Sequence, residues 1–204
     1  MKKKSKLELA ITTFRKAGGI LKMSEVIKLG IHRRELYALR DRGDLEVISR
    51  GLYRLIETSE PSLPDFIQVA KKIPRGVICL ISALAFHEIT TQIPHFVYVA
   101  LPSTAHKPAI FHPPMRYFWY TEKLLTTGVE EHTIDGCIIR IFNIEKTLID
   151  CVKFRNKIGM DVVLEALKMY WRGRQTNLDK LLEYAKLFRI EKILKPIMEA
   201  IVSG

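Results

Sequence analysis

Residues Ile20–Leu55 read ILKMSEVIKLGIHRRELYALRDRGDLEVISRGLYRL, and this stretch decides the fold. Ser24 is a favourable N-cap, predicting a short helix over Glu25–Leu29 that Gly30 ends. A second helix is predicted from Arg33 to Arg42, stopped by Gly43. Leu45–Ile48 and Leu52–Leu55 then flank Ser49-Arg50-Gly51 as two strands around a turn. Two helices a tight turn apart, followed by a hairpin, form the pattern that holds a helix against a DNA groove. The expectation is a winged helix-turn-helix.

Upstream, Leu7, Ala10, Ile11 and Phe14 recur at helical spacing and predict an amphipathic first helix ending at Gly18-Gly19. Its stripe needs a partner, and Val26, Ile27, Leu29, Leu36 and Leu39 are expected to supply it. Around the Arg33–Arg42 helix, the 100° step per residue turns Leu36 and Leu39 inward. Arg34 and Tyr37 then fall on the outer face as groove readers, with Arg33 and Arg40 flanking them as phosphate contacts. Recognition helices reach base edges chiefly through their N-terminal part, and an arginine fork can hold guanine bidentately. Arg50 at the wing tip suits a minor groove or a phosphate, while Arg54, inside a strand, is the weaker candidate. His32, just before the helix, reads as a cap or a packing residue.

Charge supports this assignment. The 204 residues carry a net charge of +11, and residues 1–58 hold fourteen Lys and Arg against seven Asp and Glu. A small domain with such an excess attracts polyanions; the blander alternative is a solvated basic surface. The apolar content of 48% allows a packed core. No apolar run is long enough to span a membrane. The basic start MKKKSKLELAITTF reads as an amphipathic helix rather than a targeting signal, because Glu8 and Arg15 interrupt its apolar part. Cys79, Cys137 and Cys151 sit far apart in apolar surroundings, which predicts buried reduced thiols rather than a disulfide framework or a zinc site. The expectation is a cytoplasmic, non-enzymatic protein of bacterial type.

Glu57 to Pro64, turn-rich and holding two prolines, predicts a boundary. The expected organisation is a winged helix over residues 1–58, a linker and connecting helix over 59–76, and an α+β domain over 77–204. In that second domain, Asp65–Ile73 leads in as a helix and Val77–His87 reads as one buried helix. Strands are expected at Phe96–Leu101, Arg116–Tyr120, Glu131–Ile134 and Cys137–Phe142, with Asp135-Gly136 as a type I′ hairpin turn. A run of helices closes the chain at Glu145–Val152, Asp161–Trp171, Leu178–Phe188 and Glu191–Val202, the third opened by a Thr176…Asp179 capping box. Strands followed by helices predict an α+β class.

Little in the sequence resembles catalytic machinery. A metal-dependent nuclease would set an Asp near a Glu-x-Lys strand. Asp135 and Glu145-Lys146 imitate this imperfectly, since adjacent residues in a strand face opposite sides. The six histidines show no metal-ligand spacing, and neither a Gly-rich phosphate loop nor a nucleophile elbow occurs. One cluster stands out: Lys146, Asp150, Lys153 and Lys157 follow at spacings of four, three and four. On a continuous helix they form one polar stripe, with Arg155 and Asn156 at its edge. That stripe is either a salt-bridged surface or a docking face.

Three runs share a further property: GGILKMSEVIKLGIHRRELYALRDRGDLEVISRGLYRL, PRGVICLISALAFHEITTQIPHFVYVALP and EKTLIDCVKFRNKIGMDVVLEALK. In this order they resemble the AbiEi family of antitoxin-like transcriptional regulators, over nearly the whole chain. The resemblance implies a repressor of its own operon, binding double-stranded DNA at inverted repeats in the promoter. It also implies a genetic partner, a nucleotidyltransferase-type toxin (AbiEii), with antitoxicity in the C-terminal domain; from the residues themselves, no metal and no cofactor are expected. By matching position, Arg33, Arg34, Arg40, Arg50 and Arg54 are the basic residues of the DNA-binding domain. Lys146, Asp150, Arg155 and Lys157 lie in the later motif. Two other readings stay open: a nuclease or DNA-modifying enzyme with the same head, and a stand-alone repressor whose second domain senses a ligand in an apolar pocket.

Overall fold

Local sequence signals place most of the elements, and the long-range pairing of strands completes them. The computed structural model describes residues 5–58, 61–109, 112–173 and 176–203. Residues 1–4, with the basic start, and 59–60, inside the expected linker, lie outside the described residues. The chain divides into two units, residues 1–72 with 132–138, and residues 73–131 with 139–204. The class is α+β, with a winged N-terminal unit and a mixed unit that ends in helices.

In the first unit, α1 (Lys6–Lys16) starts in a capping box in which Ser5 and Glu8 satisfy each other's backbone N–H. Ala10 and Phe14 are fully buried, with Leu7 and Ile11 packed beside them. The chain reverses through Gly18 and Gly19, both at positive φ. It then forms β1 (Ile20–Lys22), a strand too short for periodicity to reveal. Next come α2 (Met23–Lys28), α3 (Arg33–Asp41), β2 (Leu45–Ser49), β3 (Leu52–Leu55) and α4 (Pro64–Lys72). The sheet runs β1-β3-β2, antiparallel throughout, with a register shift between Val47 and Ser49 that bends the wing.

Two local expectations are corrected. Ser24 does not cap α2: the helix starts one residue before it, and the Glu25 carboxylate reaches back to accept from the Lys22 backbone N–H at 2.7 Å. Ile27 and Leu29 are not core, with 44% and 54% of their surface exposed. Because α2 is so short, one inward residue, Val26, suffices, and Ile31 in the turn fills the remaining place.

The second unit is built on a sheet of order β6-β5-β4-β8-β7. Its elements are β4 (Val77–Ile78), α5 (Leu80–Phe86), β5 (Val97–Pro102), β6 (Met115–Tyr120), α6 (Glu122–Thr126), β7 (Val129–Ile134) and β8 (Cys137–Phe142). Asp135 and Gly136 both take positive φ, as a type I′ turn requires, and the hairpin tip groups with the first unit. The closing helices are α7 (Ile144–Lys153), α8 (Arg155–Ile158), α9 (Met160–Arg172), α10 (Leu178–Leu187) and α11 (Glu191–Ser203).

Val77–His87 is not one helix. Its first two residues form the central strand, pairing antiparallel with β5 and parallel with β8, before Cys79 and a positive φ at Leu80 open α5. An apolar run buried on every side carries no periodicity to separate the two states. The Thr176…Asp179 capping box is absent as well. Asn177 caps α10 by accepting from the Lys180 N–H, while the Thr176 hydroxyl donates to the Tyr170 and Gly173 carbonyls.

Candidate nucleic-acid interface

The site begins with the turn between α2 and α3. Gly30 at positive φ carries the chain off α2, and Ile31 anchors it in the core. His32 stands at the N-cap of α3, but its side chain makes no capping hydrogen bond. On α3, Leu36 and Leu39 are fully buried. That orientation leaves Arg33, Arg34, Tyr37 and Arg40 exposed, as helical spacing requires. The Arg40 guanidinium donates twice to Asp41 and lies 5.0 Å from the Tyr37 ring centroid. Arg33 and Arg34 meet no carboxylate among the described residues, so their full charge faces outward. Arg50 is exposed at the wing tip, before Gly51 at positive φ.

Arg54 is the exception among the six residues. Only 8% of its surface is exposed; its Nε donates to Glu46 at 2.5 Å and an Nη to the Thr58 carbonyl. It braces β2 against β3 rather than facing a groove. Lys28, exposed at the end of α2, adds a cation that helical spacing does not single out.

The polar stripe on α7 is also corrected. Lys146 and Asp150 are both fully buried and paired at 2.5 Å. The Lys146 ammonium lies 4.1, 4.2 and 4.6 Å from the ring centroids of Phe142, Phe188 and Tyr120. Burial pushes the Lys146 amine below its usual range and Asp150 above its own, and their mutual attraction opposes both shifts. The stripe fails because every residue from Glu145 to Val152 is buried, so α7 has no solvent face before its last residue, Lys153. The helix also breaks at Phe154. Lys153, the last residue of α7, and Lys157, beyond the break, are exposed, and Arg155 is half-buried.

The groups that imitated a nuclease motif are occupied. Asp135 accepts from the Ser62 N–H, and Glu145 accepts from the Tyr170 hydroxyl while pairing with Lys180 at 3.3 Å.

A short helical core, a three-stranded wing and an outward arginine face define a winged helix-turn-helix module of the kind found in transcriptional regulators. Residues 8–56 match the family model described as "Transcriptional regulator, AbiEi antitoxin", which bears out the sequence resemblance over that segment. Among solved structures, the fold is similar to that of the RV2827C protein from Mycobacterium tuberculosis. The two share a TM-score of 0.54 at 12% identity, over 91% of this chain and 73% of that one. No curated protein matches the chain in sequence. Among the described residues, no helix is long and apolar enough to cross a membrane.

Proposed function

We propose that this chain is a transcriptional repressor that binds double-stranded DNA at inverted repeats ahead of its own gene, and an antitoxin to a nucleotidyltransferase-type toxin. The observation that carries the DNA reading is the exposed, uncompensated Arg33 and Arg34 at the start of α3, with Arg50 on the wing. Arg34 and Tyr37 read bases; Arg33, Arg40 and Arg50 hold phosphates. In the second unit, Lys153 and Arg155 face the toxin, while Lys157, the third motif residue at the surface, lines the edge of β6.

Fluorescence anisotropy with duplex from ahead of the gene, against a scrambled duplex, tests the DNA contacts. Arg34→Ala is expected to cost about 1–3 kcal/mol on the operator and to reduce discrimination. Arg50→Ala is expected to weaken both duplexes and flatten the salt dependence by about one unit of slope. Operator binding unchanged in Arg34→Ala would refute the base-reading role. Co-expression with the nucleotidyltransferase tests the partner: Lys153→Glu with Arg155→Glu should abolish rescue while leaving operator binding intact.

A further inference from the structure

We propose a second nucleic-acid site in the second unit, a cleft along the open edge of β6 that takes single-stranded nucleic acid. It goes beyond duplex recognition by α3 and the wing. β6 ends its sheet, so side chains from both of its faces reach one cleft of about 360 Å³, lined in part by Lys107, Arg116, Tyr117, Trp119 and Lys157. Among the described residues, no carboxylate lines it.

The way its cations are held is what points to the ligand. The Arg116 guanidinium lies 4.6 Å from the Phe96 ring centroid and 6.0 Å from that of Tyr98. The Lys157 ammonium lies 5.7 and 5.6 Å from the Phe118 and Phe154 centroids. Rings orient a cation without neutralising it, whereas a carboxylate would cancel the charge it positions. Arg116, Lys157 and Lys107 have no acidic partner among the described residues.

Beside them stand flat surfaces. Trp119 is 44% exposed, and its indole N–H donates to the Ala105 carbonyl at 2.9 Å, which fixes the ring. Tyr117 lies 6.3 Å away at 56°, so the two rings do not cover each other. Fixed ring faces beside unneutralised cations match a strand whose bases stack while its phosphates pair. A duplex keeps its bases stacked internally and cannot use those rings. An acidic peptide would meet the cations but leave the rings idle.

The test uses the full chain carrying Arg33→Ala, Arg34→Ala and Arg50→Ala, which silences duplex reading, and Trp171→Phe, which leaves Trp119 as the fluorophore. Oligouridylate and oligothymidylate strands should quench Trp119, with an affinity that falls with salt at about 0.7 units of slope per phosphate held. Arg116→Ala with Lys107→Ala should weaken binding at least about fivefold. In a chain retaining Trp171, with a labelled strand, Trp119→Ala should do the same and Trp119→Phe should largely restore it. Circular dichroism checks the fold of each. The toxin-facing substitutions Lys153→Glu and Arg155→Glu should leave strand binding unchanged, and the cleft variants should leave duplex binding by the otherwise native chain unchanged. Absent quenching, equal affinity in the cleft variants, uridine monophosphate binding as tightly as the strand, or polyglutamate displacing it equally well would each overturn the proposal.

Discussion

At the scale of single residues, burial separates roles that composition cannot. Arg34 and Arg54 are both arginines of the winged-helix segment, yet one faces solvent and the other braces the wing. Arg54→Ala should therefore lower the melting temperature, since it leaves Glu46 and the Thr58 carbonyl without their donor. Any loss of DNA affinity should scale with that instability, and calorimetry beside anisotropy separates the two. Lys146 and Asp150 make a sharper case. Removing one member of a buried ion pair strands the other, at a cost of about 3–5 kcal/mol. Lys146→Met and Asp150→Leu should each destabilise by about that much, whereas the double variant should cost far less than both together. A urea-denaturation double-mutant cycle reads the coupling, and additive costs would show that the pair is not a unit.

At the scale of elements, a surface carboxylate ties a loop to a helix. Glu165 on α9 accepts from the Thr91 hydroxyl, the Thr91 N–H and the Thr90 hydroxyl, and these bonds hold its carboxyl below the usual range. A carboxylate whose pKa is lower folded than unfolded stabilises fully above its unfolded value of about 4.3, and that contribution is lost as pH falls through the folded value. Glu165→Gln should thus lower the melting temperature by roughly a few degrees at neutral pH. The gap from the native chain should close at strongly acidic pH; a gap constant across pH would refute the linkage. Elements were legible wherever a local rule acts: the stripe of α1, the arginine face of α3, the Asp135-Gly136 turn and the closing helices. The two strands that escaped depend on distant partners. β1 exists because β3 pairs with it, and β4 because β5 and β8 flank it. The α7 stripe misled for the same reason: spacing shows which residues share a face, but not whether that face is covered. Nor does any spacing bring Lys107, Trp119 and Lys157 to one cleft.

At the scale of the whole molecule, one winged helix spans about one half-site, so an inverted repeat calls for two copies. Native mass spectrometry of the saturated operator complex should find two chains per duplex, and one chain on a full operator would refute this. The three thiols carry a different kind of information. Cys79, Cys137 and Cys151 are free and buried, and burial raises all three above the usual thiol range, Cys79 and Cys151 furthest. A thiol that is both sheltered and protonated reacts only after the surrounding structure opens. Cys137 belongs to the first unit and the other two to the second. The native chain thus carries its own reporters of breathing, and the rate at which each sulfur takes up an alkylating reagent clocks how often its unit comes apart.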